Sequence, residues 1–234
     1  MSGMDLTPYR QFAKEKLGLE FNDINLLVTA LTHRSYVNEH KKSTNEHNER
    51  LEFLGDAVLE LVTTRFLFDN YSEPEGILTS WRSALVRTES ICEAGKELGY
   101  DSLVRMSKGE KHGSQRARDH ILANAFEAVV GAVYLDLGYD AAKELISKLI
   151  LSKTKQILDD KSWRDSKSYL QEVTQQNDKQ TPNYRLTKED GPDHDKVFEV
   201  GVYVGKRLLG KGSGSSKQQA QQEAAKDALK KYEK

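Results

Sequence analysis

Asn48-Glu49-Arg50-Leu51-Glu52-Phe53-Leu54-Gly55-Asp56 is the stretch on which the reading of this chain turns. Placed on a helix, Glu49, Glu52 and Asp56 fall at i, i+3 and i+7 and line one face, while Leu51, Leu54 and Val58 take the opposite, buried side. Three like charges on adjacent turns repel one another unless something cationic sits among them. All-oxygen ligands suit a hard divalent cation such as Mg²⁺. The plainer alternative is a solvated acidic face, and the spacing by itself favours that.

A second stretch shifts the balance. Ile121 to Leu137 is nearly all apolar apart from Asn124, Glu127 and Asp136, and predicts a central helix buried on most sides. Asn124 and Glu127 sit at i, i+3 and face the same way, and a carboxylate in such a helix is rarely buried without a partner. Two helices presenting oxygen ligands inward is how a helical domain builds a metal site. Glu75, in the expected loop Ser72-Glu73-Pro74-Glu75-Gly76, is a further acidic candidate.

Around these stretches, residues from about Asp5 to Leu158 read as a run of helices. Apolar residues recur at helical spacing in Leu26, Leu27, Ala30 and Leu31, and in Leu51, Leu54, Val58, Leu61 and Val62. Gly18, Gly76, Gly99, Gly113 and Gly138 fall at expected turns, and Asp140 opens an amphipathic helix running through Leu145, Leu149 and Ile157. Residues 159–164 read as a polar linker. Beyond it the period changes: a helix over Ser166 to Gln175, strands at Asn183 to Thr187, Val197 to Val204 and Arg207 to Lys211, and a helix from Ser216 to Tyr232. The fold class is therefore an all-α domain over 5–158 followed by an α+β domain over 165–234, in which an antiparallel sheet lies under two helices.

Of the 234 residues, 30% are charged and 37% hydrophobic, the balance of a soluble protein with modest cores. The net charge of -1 hides an asymmetry. Residues 1–162 carry 21 Lys and Arg against 25 Asp and Glu, a net of -4, and residues 163–234 carry 14 against 11, a net of +3. An acidic working part and a basic gripping part is the reading this suggests. A single cysteine, Cys92, cannot form an internal disulfide, so a cytoplasmic location is expected. No signal-peptide pattern opens the chain, and no apolar run approaches the length that would cross a bilayer, so no membrane partner is expected. Gly205 to Lys211 has P-loop spacing, but Gly212 follows where Ser or Thr would stand, and no nucleotide cofactor is expected. His33, His40 and His47 recur every seven residues without cysteines or a tight helical pair, which favours exposed histidines over a metal cluster. The polar, basic loop holding His112, Gln115, Arg116 and Arg118 is as readily a solvated loop as a contact for an anionic ligand.

The stretch Asn48 to Asp56 resembles the signature of the ribonuclease III family without a departure. Ala30 to Tyr36 and Ile121 to Ala128 resemble the family's two other blocks. The resemblance covers nearly the whole chain and its order of domains. It implies a helical endonuclease domain that works as a homodimer on double-stranded RNA, including ribosomal precursors, leaving 5′-phosphate and 3′-hydroxyl ends. By this resemblance Glu52, Asp56, Asn124 and Glu127 hold Mg²⁺, with Mn²⁺ as a substitute. Asp56, Glu127, Glu49 and Glu75 are the catalytic acidic positions, and Phe53 matches an aromatic plug that inserts into the partner subunit.

The C-terminal part resembles a double-stranded-RNA-binding domain, a module that reads A-form shape across the minor groove. Gln171 and Glu172 match its first-helix contacts and His194 the contact of its Gly-Pro-x-His loop. Ser216 and Lys217 open the last helix, whose amides would meet phosphates. Gln218 and Gln221 stand where lysines are common in such domains, which implies fewer phosphate contacts and a smaller salt dependence. Asn124 departs from the family's usual Asp: its amide oxygen still coordinates Mg²⁺ but brings no charge. A non-cleaving or attenuated double-stranded-RNA-binding protein of the same ancestry is therefore the rival reading.

Overall fold

The computed structural model describes residues 4–40, 46–159, 163–192 and 196–232. The chain divides into two units, Met1–Trp163 and Arg164–Lys234.

The described helices of the first unit are α1 (Thr7–Phe12), continued by a π turn over Ala13–Leu17, α2 (Ile24–Ala30), α3 (Arg34–Glu39), α4 (Glu49–Asn70), α5 (Glu75–Leu85), α6 (Thr88–Leu98), α7 (Lys108–Lys111), α8 (Gln115–Leu137), α9 (Tyr139–Leu149) and α10 (Thr154–Asp159). The axis of the unit is α8. Ala125, Phe126, Ala128, Val129, Val130, Ala132 and Val133 on it are all fully buried, so the helix is surrounded rather than one-sided. By length and composition α8 is also apolar enough to span a membrane, which corrects the expectation that no such run exists. Most of it lies inside the unit, and it is a core helix.

The long α4 runs against α8, and two helix-interior glycines fix how closely. A β-carbon on Gly55 would stand 2.6 Å from the Glu127 carbonyl carbon and 2.8 Å from the Gly131 nitrogen. One on Gly131 would stand 3.1 Å from both the Gly55 nitrogen and the Leu51 carbonyl carbon, and closer still to the Leu51 oxygen. Glycine costs an isolated helix about 1 kcal/mol relative to alanine, and here that cost admits backbone-to-backbone contact.

Several local expectations change. Pro74 caps α5, so Glu75 is the first residue of a helix rather than a loop residue, and Gly76 lies inside that helix instead of at a turn. The expected continuous helix from Asp140 to Ile157 breaks at Ile150, where a 3₁₀ turn over Leu151–Lys153 redirects the chain into α10. Leu61, grouped by spacing with the core, is 58% exposed, because Val58, Leu59 and Val62 already fill the face toward α8. Asp159 ends α10, and Trp163 packs edge-on against Trp81 at 5.9 Å, so both flanks of residues 160–162 belong to the first unit.

The second unit holds α11 (Ser166–Asn177), β1 (Asn183–Asp190), β2 (Val197–Val204), β3 (Arg207–Gly214) and α12 (Lys217–Leu229). The sheet is antiparallel in the order β1-β2-β3, with Leu186 opposite Val200 and Val202 opposite Gly210. The alternation in β2 buries Val200, Val202 and Val204 with Leu170 of α11 and Ala220, Ala224, Ala225 and Ala228 of α12. The first and third strands run three residues further than their apolar patterns suggested. In β3 the extension matters, since a β-carbon on Gly212 would stand 2.6 Å from the Glu223 carbonyl carbon and one on Gly214 2.9 Å from the Ala220 nitrogen. These glycines are strand residues onto which the alanine stripe of α12 is pressed.

Candidate nuclease and RNA-binding sites

Asn48 caps α4 through its main chain, and its amide nitrogen donates to the Thr32 carbonyl at 2.9 Å. Its side chain is buried, with neither amide atom hydrogen-bonded. Glu49 and Glu52 then occupy the first turn, where carboxylates complement the helix dipole. Glu49 is held by Arg34 at 3.2 Å, with His47 at 3.7 Å, a clamp the sequence reading did not anticipate. His33, grouped by spacing among exposed histidines, is half-buried and caps α3 by accepting from the Ser35 amide.

The glycine contact sets the second acidic face opposite the first. Glu127 of α8 lies within the field of Asp56 and Glu52, and Glu52 within that of Glu49 and Asp56. Burial, then Asp56 and Glu52, push the Glu127 carboxyl up to about 7. Burial and the Glu49 and Asp56 carboxylates raise Glu52, while hydrogen bonding from the Asn124 side chain pulls it back. Four of the expected positions, Glu52, Asp56, Asn124 and Glu127, are thus one electrostatic unit on two helices. Glu75 stands apart from it within the chain: Thr79 Oγ1 donates to its carboxylate at 3.1 Å, and it is not among the charges acting on Glu52 or Glu127.

The donor set fits a hard divalent cation. It is all oxygen, three carboxylates and one amide carbonyl, and two of its members are raised by their own crowding, which a cation would relieve. Among the described residues no three His, Cys, Asp or Glu side chains are already drawn into a metal-holding group. The carboxylates are near enough to repel without having converged.

Phe53 lies on the same helix as the carboxylates and is 81% exposed. From spacing alone it would be a core residue, but α8 takes the face carrying Leu51, Gly55 and Val58. Leu61 and the 72% exposed Phe68 continue an apolar stripe along α4.

On the second unit, Gln171 and Glu172 are exposed on α11 and line a shallow pocket with Ser168 and Gln175. Ser216 caps α12, its hydroxyl accepting from the Gln219 amide at 3.2 Å. Lys217 is exposed, with its ammonium 5.7 Å from the Phe198 ring. His194 lies outside the described residues. Gln221, read as a lost phosphate contact, instead accepts from Lys167 Nζ at 2.7 Å and ties α12 to α11. No spacing rule separates such a tie from an RNA contact.

A helical unit that carries an acidic, oxygen-rich site across two helices is thus joined in the chain to an α-β-β-β-α unit with an exposed polar helix face. Residues 23–154 match a ribonuclease-III-like family model and residues 166–232 a double-stranded RNA binding motif. The chain is 44% identical over 218 residues to Ribonuclease 3 of Streptococcus gordonii, covering 93% of this chain and 94% of that protein. It is 45% identical over 221 residues to Ribonuclease 3 of Enterococcus faecalis, again covering 93% and 94%. The nuclease domain of ribonuclease III from Campylobacter jejuni, solved in work on a region involved in dimer formation, matches with a TM-score of 0.54 and 38% identity over 60% of this chain and 94% of that one. The chain belongs to the ribonuclease III family and is an endoribonuclease.

Proposed function

We propose that this endoribonuclease hydrolyses the phosphodiesters of double-stranded RNA with the aid of Mg²⁺, for which Mn²⁺ substitutes, and that it acts in the cytoplasm as a homodimer on ribosomal precursors and other structured RNAs. The observation that carries the reading is the opposed acidic pair of helices, with Glu127 raised to about 7 by burial beside Asp56 and Glu52. A group so crowded is arranged for a cation rather than for solvent.

Glu52, Asp56 and Glu127 would hold the cation, with the Asn124 amide oxygen as the neutral fourth ligand. When bound, Mg²⁺ supplies charge neutralisation, polarisation of the phosphodiester and a lowered pKa for water. The chain's own part is positional. The first two turns of α4 present Glu52 and Asp56 from one side, and α8 presents Asn124 and Glu127 from the other. Glu49, clamped by Arg34, and Glu75, at the start of α5, are the outlying acidic groups assigned to orienting the attacking water and the scissile phosphate. The products expected of such hydrolysis are 5′-phosphate and 3′-hydroxyl ends.

A second copy of the chain is the partner that best suits the stripe Phe53, Leu61 and Phe68, since large apolar side chains lined along one helix are costly in water and a two-fold contact covers both copies at once. Duplex RNA is gripped by the second unit through Gln171, Glu172, Ser216 and Lys217, with His194 assigned the same role from its sequence motif.

The test is cleavage of a perfect RNA duplex with Mg²⁺, beside the same reaction in chelator and with Glu127→Ala. Cuts that vanish in both controls and leave 5′-phosphates are expected. Equal cutting in chelator would overturn the metal reading, and equal cutting by Glu127→Ala would overturn the site.

A further inference from the structure

We propose that Gly131, which holds no ligand and touches no substrate, is a positioning residue for the nuclease site: its missing side chain sets the distance between the helix carrying Glu52 and Asp56 and the helix carrying Asn124 and Glu127. The inference rests on the metal reading given above.

Asn124, Glu127 and Gly131 fall at i, i+3 and i+7, so the glycine lies on the face of α8 that carries the two polar groups, one turn beyond Glu127. Its contact is with main chain. A β-carbon there would stand 3.1 Å from the Leu51 carbonyl carbon and from the Gly55 nitrogen, with the Leu51 oxygen nearer still. In a helix the Leu51 carbonyl accepts from the Gly55 amide, so any group on residue 131 presses on the hydrogen bond that closes the turn bearing Glu52 and leading into Asp56.

Side chains can rotate out of a tight contact, and backbone cannot. At Gly95, also crowded, the neighbours are the ring atoms of Tyr100, a side chain rather than the main chain of another helix. At Gly131 the helices themselves must part, by on the order of 1 Å, and a displacement of that size at a reacting centre costs about a hundredfold in rate. The two halves of the acidic set would then start further apart and be harder for one small cation to draw together. Leu51, by contrast, adds apolar side-chain packing to the same crossing without setting the backbone approach.

The experiment compares the full-length wild type with Gly131→Ala and Leu51→Ala. Each is melted over a series of Mg²⁺ concentrations, and kcat and KM on a duplex RNA are measured at a temperature where circular dichroism finds it folded. Gly131→Ala is expected to need about tenfold more Mg²⁺ for half of its thermal stabilisation and to lose about a hundredfold in kcat with KM unchanged. Leu51→Ala is expected to melt lower in metal-free buffer while keeping the wild-type Mg²⁺ midpoint.

A folded Gly131→Ala with wild-type midpoint and kcat would overturn the proposal. So would a Leu51→Ala midpoint shifted by as much as tenfold, since ordinary packing would then set the spacing. If Gly131→Ala does not fold, Leu51→Ala decides: an unmoved midpoint upholds the backbone contact and a shifted one rejects it. A wild-type protein whose melting ignores Mg²⁺ would sink the metal reading itself, a result distinct from either variant's behaviour.

Discussion

Gly55 of α4 faces the main-chain carbonyl of Glu127 in α8, and a β-carbon on it would stand 2.6 Å from that carbonyl carbon. The residue that makes the closest helix contact is therefore next in sequence to one carboxylate, Asp56, and packed against the backbone of another. Fold and site are the same feature seen twice: the approach that completes the core also forces the acidic groups together. A core packed on leucines at this crossing would hold the helices further apart and leave the charges to solvent.

The force shows in Glu127, whose carboxyl titrates at about 7 because of burial first and the Asp56 and Glu52 charges second. Its folded-state value lies above that of the unfolded chain, so the native state binds the proton more tightly. Stability falls as pH rises from about 4.5 through 7. In chelator, Glu127→Gln should gain roughly 1–3 kcal/mol over the wild type above neutrality, with the gain shrinking to nothing below about pH 4.5. Urea unfolding of both proteins at several pH values checks this, and a gain that persists undiminished in acid would contradict it. Cleavage by the same variant should fall by at least about a hundredfold, since a neutral amide replaces a charged ligand.

Asn124 offers the opposite exchange. Its side chain hydrogen-bonds toward Glu52 and eases the crowding there, which a carboxylate would aggravate. Asn124→Asp should therefore lower the melting temperature in chelator and raise it more steeply as Mg²⁺ is added, the two curves crossing as the cation saturates the site. Calorimetric titration with Mg²⁺ should find tighter binding, by about tenfold for the added charge. Equal affinity would mean that residue 124 lies outside the coordination sphere.

The order of elements was legible in the sequence wherever one periodicity ran long enough. Val197 to Val204 alternates over eight residues and forms that strand from end to end, and the apolar density of Ile121 to Leu137 marks the buried axis. Asn124 and Glu127 stood out as polar residues in the apolar run that becomes α8, whereas the spacing of Glu49, Glu52 and Asp56 alone fitted a solvated face. What escaped were features defined by the partner surface. Leu61 has core-like spacing yet is exposed, since α8 is met by the neighbouring face. Gly55 and Gly131 carry a signal, glycine inside a strong helix pattern, but which helix each one touches is a fact of packing. The tie between Lys167 and Gln221 joins residues 54 apart and has no local signature at all.

Phe53, Leu61 and Phe68 should separate assembly from folding. Because all three side chains are largely exposed in the single chain, replacing them removes little from its own core. Phe53→Ala combined with Phe68→Ala should convert a dimer to a monomer in sedimentation velocity while leaving helical content unchanged. Loss of duplex cleavage should follow, with cutting recovered in part at high protein concentration. A double variant that sediments as the wild type would place the partner elsewhere.

Gln218 and Gln221 should behave differently when changed to lysine, although both occupy positions where lysines are common in such domains. Gln218 is exposed on the first turn of α12 beside Lys217, so Gln218→Lys adds a cation where the helix amides already favour anions. Duplex affinity should rise, and the slope of log K against log salt should steepen by about 1. Gln221 is half-buried and accepts from Lys167 Nζ at 2.7 Å. Gln221→Lys sets one ammonium against another, removes the acceptor and loosens α11 from α12. Its melting temperature should fall with no gain in duplex affinity, and the salt slope should stay where it is. Filter binding across a salt series distinguishes the two: a steeper slope for Gln221→Lys would show that its side chain swings free of Lys167 and reaches the phosphates after all.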